Sequence, residues 1–199
     1  KFARQGAEDE LDLDDTIRST ARNAGMLDIK VVPERHNSVK VLLCLDVGGS
    51  MEDHVRICEE LFSAARSEFK QLEYFYFHNC VYERVWQDNK RRWNEHIDTF
   101  DLLHTYGRDY RVIFVGDAAM APYEVSERYG SVEHRNPEAG EIWLRRILDT
   151  WDKAIWLNPS QQRYWDYTAS TQMIRNIMDK KMYPLTLEGL EDGIRYLSK

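Results

Sequence analysis

Apolar positions along the chain switch between two periods. From Val39 to Leu45 the run VKVLLCL is nearly continuous, which predicts a central strand covered on both faces. Val55, Cys58, Leu61, Phe62, Ala65 and Phe69 then recur every three or four positions, so residues 52–70 are expected to form an amphipathic helix. Upstream, Ile17, Ala21 and Ala24 share helical spacing within Leu11–Ala24, with Asp14 and Asp15 near the start and Asn23–Gly25 as a stop. Leu27, Ile29 and Val31 alternate as strand positions do until Pro33 ends the pattern.

Downstream, LEYFYFHNCVYERVW reads as a strand and a shorter return strand around His78-Asn79, followed by the polar loop QDNKRRWNEH. DTFDLLHTYG predicts a short helix with Thr99 in the loop before it, and DYRVIFVGDAAM a second buried strand ending at Gly116-Asp117. A long polar connection, SERYGSVEHRNPEAG, leads to a helix over Glu141–Thr150 and a strand over 153–159. TASTQMIRNIMD is a helix, KMYPL a last short strand, and TLEGLEDGIRYL the terminal helix. Strands and helices therefore alternate, which predicts an α/β fold: a doubly wound, mostly parallel sheet with helices on both faces.

At 199 residues the chain is long enough for one full domain and its core. Residues 1–35 are expected to be a linker, helix and strand leading into a domain over 36–199. The opening KFARQGAEDELDLDD, with no initiator Met, reads as the tail of a charged helix and a linker, so the chain is expected to be the C-terminal part of a longer protein. A net charge of -7 disfavours nucleic acid and anionic membranes as partners, because the long-range field repels phosphates. No apolar run approaches the roughly 20 residues of a membrane span. Cys44, Cys58 and Cys80 lie in apolar patterns without C-x-x-C spacing, which fits reduced thiols and a cytoplasmic location.

The stretch CLDVGGSM places a carboxylate, two glycines and a hydroxyl where the central strand turns into a helix. In a doubly wound sheet the carboxyl ends of the strands share one edge, so Asp46 and Ser50 can meet residues far along the chain. Asp117, and Thr99 in its loop, are the candidates. Two carboxylates and two hydroxyls are hard oxygen donors, suited to Mg²⁺, Mn²⁺ or Ca²⁺ rather than zinc. The plainer alternatives are an Asx turn at Asp46 or Asp117 and a helix cap at Ser50 or Thr99.

VKVLLCLDVGGSMEDHV resembles the first metal-site motif of von Willebrand factor A (VWA) domains, Asp-x-Ser-x-Ser at the end of the first strand and commonly followed by Met. The likeness runs from about Val39 onward, and LDLDDTIRSTARNAG is similar to the segment that precedes the motif in bacterial CoxE-like members. The resemblance implies a non-enzymatic interaction module with a metal-ion-dependent adhesion site, whose ligands would be Asp46, Ser50, Thr99 and Asp117. It also implies a protein partner, a MoxR-type AAA+ ATPase, that gives the ion an acidic side chain during assembly or maturation of another protein. Gly48 departs from the pattern, since it stands where the family has its first ligating Ser. Thr105 is the alternative to Thr99.

Two further readings compete. A magnesium-dependent phosphohydrolase of the haloacid dehalogenase type also starts from a strand-end Asp and has a later Gly-Asp, but needs a second Asp where Gly48 stands, as general acid/base. A VWA domain with a decayed metal site, serving as a structural module, is the other. His78 and Cys80 lack the orienting acid of a nucleophile pair, and the six histidines show no zinc spacing. Tyr164, Trp165 and Tyr167 read as packing beneath a loop or as a docking surface, and NKRRW as a solvated loop.

Overall fold

The computed structural model describes residues 9–11, 31–33, 37–51, 54–56, 58–59, 62 and 69–198. The chain divides into two compact units, Lys1–Asn37 and Ser38–Lys199. In the first, β1 (Asp9–Leu11) pairs antiparallel with β2 (Val31–Pro33), with Glu10 opposite Val32. Residues 9–11 are thus extended, where the sequence suggested a helix tail and linker. The rest of the expected helix over Leu11–Ala24 lies outside the described residues.

The second unit is built on a five-stranded sheet in the order β4-β3-β7-β8-β9. Its strands are β3 (Asn37–Asp46), β4 (Phe69–Phe77), β7 (Tyr110–Val115), β8 (Ala154–Asn158) and β9 (Met182–Pro184). β3, β7, β8 and β9 run parallel, with Leu45 beside Val115 and Val115 beside Leu157. Helices α1 (Thr99–Thr105), α2 (Pro122–Ser126), α3 (Gly140–Thr150), α4 (Ala169–Ile177) and α5 (Leu187–Leu197) complete the unit. It is a doubly wound, Rossmann-like α/β fold.

The near-continuous apolar strands follow from burial on two faces. Leu42, Cys44, Val112, Phe114 and Trp156 point to one side, into a core shared with Leu102 of α1, Trp143 and Leu144 of α3 and Ile174 of α4. Val41, Leu43, Leu45, Ile113, Val115, Ile155 and Leu157 point to the other, against Cys58, Phe62 and Leu197 of α5. Phe114 stacks on Trp156 at 5.3 Å between centroids, and Phe77 meets both rings edge-on.

The amphipathic pattern of residues 52–70 is helical at 54–56, 58–59 and 62, but Phe69 and Lys70 already belong to β4. Their aromatic and long side chains suit either element, and sheet pairing decides. The return strand is short: Tyr76 pairs with Trp86, and β5 (Arg84–Val85) turns to pair with β6 (Ile97–Asp98). Between the end of β7 and the polar connection that begins at Ser126 lies a short helix that the sequence pattern did not mark, α2, which Pro122 opens at its first position. Among the described residues, no helix is long and apolar enough to cross a membrane.

Candidate metal centre

Parallel pairing brings the ends of β3 and β7 to one edge, so Asp46 and the Gly116-Asp117 corner are neighbours. Asp46 is 1% exposed. Its Oδ1 accepts two backbone N–H bonds of 2.8 Å, from Gly48 and from Asn79. The first closes the loop locally and leads into the 3-10 turn Gly49–Met51, on which Ser50 stands exposed. The second ties the end of β3 to the residue where β4 turns back.

Asp117 is half-buried, and its Oδ1 accepts the N–H of Ala119 at 2.9 Å, forming the Asx turn. The loop around it is held from below. Asn158, wholly buried at the end of β8, donates through Nδ2 to the Asp117 carbonyl at 2.8 Å. Trp156 Nε1 donates to the Gly116 carbonyl at 2.7 Å. Ser170 and Thr171, in the first turn of α4, both donate to the Ala118 carbonyl, at 2.8 and 3.1 Å. Ala118 is held at φ 55, a left-handed conformation that a non-glycine residue adopts only when its surroundings impose it.

A third carboxylate enters from α2. Glu124 is 3% exposed; its Oε1 accepts the Ala121 N–H at 3.2 Å, and its Oε2 accepts Asn79 Nδ2 at 2.9 Å. Asp117 and Glu124 both act on Asp46 through their charge. Burial pushes the Asp46 carboxyl up to about 7, the neighbouring carboxylates adding to the rise and the N–H donors of Gly48 and Asn79 opposing it. Among the described residues no basic side chain forms an ion pair with Asp46, Asp117 or Glu124.

Thr99 departs from its expected place. It is the first residue of α1, with Asp98 as the cap whose carboxylate accepts the Phe100 N–H. The Thr99 side chain is buried, and Oγ1 donates to the Tyr82 carbonyl at 2.6 Å while its own N–H donates to Glu83. That bond uses the hydroxyl proton and leaves the oxygen lone pairs free. The structure thus brings Asp46 and Asp117 together with Ser50 on the same edge, and fixes Thr99 through Tyr82.

Asn79 and Glu124 join this site without belonging to the motif that marks Asp46 and Ser50. An Asn at the tip of a strand reversal tolerates positive φ, and Pro122 followed by Glu124 is a first-turn signature with the carboxylate folded back on the cap. Both signals are legible in the sequence. What neither shows is that the two side chains meet.

The family model described as VWA domain containing CoxE-like protein matches residues 1–85. Over that segment, less than half of its length, the chain is similar to CoxE-like VWA-domain proteins. The matched segment includes Asp46, Gly48, Ser50 and Asn79, while Thr99, Asp117 and Glu124 lie beyond it. No curated protein and no solved structure matches the chain.

The residues at this edge fit a hard divalent cation by the chemistry of their donors, two carboxylates beside hydroxyl and amide oxygens with no cationic side chain among the described residues paired to them. Among the described residues, no three His, Cys, Asp or Glu side chains form a group placed to hold a metal ion. Coordination there would rest on a carboxylate pair completed by neutral oxygens and water. His78 and Cys80 serve structure: the Cys80 thiol is wholly buried and its pKa is driven up by burial, and His78 lies 3.7 Å from Glu133, which Arg92 also pairs at 2.8 Å. Cys44 and Cys58 are likewise free and buried.

Proposed function

We propose that this chain is a VWA-type protein-interaction module whose recognition point is a divalent ion, Mg²⁺ or Mn²⁺, or else Ca²⁺, at the carboxyl edge of the sheet. The observation that carries the reading is Asp46: a carboxylate 1% exposed at a strand end, beside the charges of Asp117 and Glu124, without a basic partner among the described residues. Such a group is costly to keep ionised unless a cation neutralises it. Asp46 and Asp117 would ligate directly, Ser50 and Thr99 through their hydroxyl oxygens. The ion supplies an electrophilic point with exchangeable water, and an Asp or Glu of a partner can replace that water.

The partner that similarity to CoxE-like proteins favours is a MoxR-type AAA+ ATPase, with the pair acting in assembly or maturation of another protein in the cytoplasm. That similarity also favours binding over catalysis. The phosphohydrolase alternative loses its general acid, because the volume beside Gly48 is taken by an Asn79 amide oxygen, which has no proton to give. Association is tested by co-purifying the chain with the AAA+ ATPase encoded beside its gene, in Mg²⁺ and in EDTA. Mg²⁺-dependent capture, lost in Asp46→Ala, is expected; capture that EDTA leaves unchanged contradicts the ion-centred mode.

A further inference from the structure

We propose that Asn79 supplies, through Oδ1, the oxygen ligand that position 48 lacks, with Glu124 as the positioning residue that orients its amide. This deepens the ion-binding reading and rests on it. A β-carbon built on Gly48 would lie 2.2 Å from Asn79 Oδ1, 3.4 Å from its Cγ and 3.2 Å from Asp46 Oδ1. The amide oxygen therefore stands in the space that a serine side chain at this position would enter. Gly48 and Asn79 exclude each other's alternatives, as matched positions do.

The amide's orientation follows from Glu124. An ionised carboxylate can only accept, so Nδ2 turns toward Glu124 Oε2, at 2.9 Å, and Oδ1 turns toward Gly48. No protein donor among the described residues reaches Oδ1. The same residue donates its backbone N–H to Asp46 Oδ1, and it does so at φ 57, a conformation Asn tolerates better than most residues. An acceptor oxygen without a donor among the described residues, held beside a buried carboxylate, is chemistry that a cation completes, and side-chain amide oxygens are ordinary ligands of hard divalent ions.

Titration of the full chain with Mn²⁺ alone, followed by calorimetry and by the electron paramagnetic resonance of free Mn²⁺, tests this beside melting temperatures in EDTA. Asn79→Gly keeps the left-handed backbone and removes the amide; it is expected to weaken Mn²⁺ binding about 10-fold or more. Asn79→Asp is expected to bind at least as tightly as the unaltered chain. Gly48→Ser drives its side chain into Oδ1 and should lower both the melting temperature and the affinity. Combining Gly48→Ser with Asn79→Gly should recover both, because the hydroxyl then takes over the amide's place; recovery of melting temperature alone would make Asn79 a packing residue and overturn the proposal. Glu124→Gln, which lets the Asn79 amide turn over, should weaken Mn²⁺ binding in a folded chain. If Asn79→Gly binds Mn²⁺ as the unaltered chain does, the Asn79 assignment fails and the ion site stands; if the unaltered chain binds no Mn²⁺, both fail.

Discussion

A β-carbon on Gly116 would lie 2.9 Å from Asp46 Cβ and 3.1 Å from Asp46 Oδ2, so the end of β7 passes the Asp46 side chain at a distance that glycine alone permits. The third nearest atom, Trp156 Cζ2 at 3.2 Å, belongs to a ring fixed by its own bond to the Gly116 carbonyl and cannot easily retreat. Gly116 thereby sets where the Asp46 carboxylate sits, and the chain after it sets where Asp117 sits.

Gly116→Ala follows from that contact. The added methyl group must displace either the carboxylate or the indole, at a cost of about 1–3 kcal/mol of stability. Denaturant unfolding measures that loss, and a Mn²⁺ titration should show weaker binding from the displaced Asp46. A fully stable Gly116→Ala would mean that the strand ends are less tightly fitted than the geometry states.

The sequence carried the sheet because its strands are buried on both faces, and Val39–Leu45 and Val112–Val115 are short, β-branched-rich apolar runs closed by Gly and Asp, which favours strand over buried helix. It carried Asp46 and Asp117 because a polar residue closing an apolar strand stands out. It did not carry Asn79 and Glu124, since their pairing spans 45 positions and depends on the left-handed turn at 79 and on a helix of only five residues after the Asp117 loop. A hydroxyl just ahead of an apolar helical stretch reads as a cap, but Asp98, one residue before Thr99, takes that role with the stronger acceptor. The start of β4 is not legible in the sequence because Phe69 continues the helical period and also fits a strand.

The ion-free protein should lose stability as pH rises from about 4 to about 7. Asp46 in the folded chain holds its proton up to about 7, against an ordinary carboxylate value of 3.8, so folding takes up a proton throughout that window. The contribution is therefore complete below the unfolded value and gone above the folded one, on the order of a few kcal/mol across the window. Urea unfolding in EDTA at a series of pH values measures it. Asp46→Asn should flatten the slope, and Mg²⁺ should restore stability above pH 7, where the carboxylate is ionised.

Thr99 separates two roles by substitution. Thr99→Val removes the bond to the Tyr82 carbonyl and leaves a buried acceptor, at a cost of about 1–3 kcal/mol. As a ligand through its lone pairs, Thr99 predicts that Thr99→Val also weakens Mn²⁺ binding and that Thr99→Ser preserves both properties. A destabilised Thr99→Val with undiminished Mn²⁺ affinity would confine Thr99 to supporting α1.

The most direct measurement is calorimetric titration of the chain with Mg²⁺ and with Mn²⁺ at pH 7.5, beside Asp46→Ala. A saturable, one-site heat at up to millimolar ion that disappears in a folded Asp46→Ala is the expected result. No heat in the unaltered chain, or equal heat in Asp46→Ala, would contradict an ion site at the end of β3.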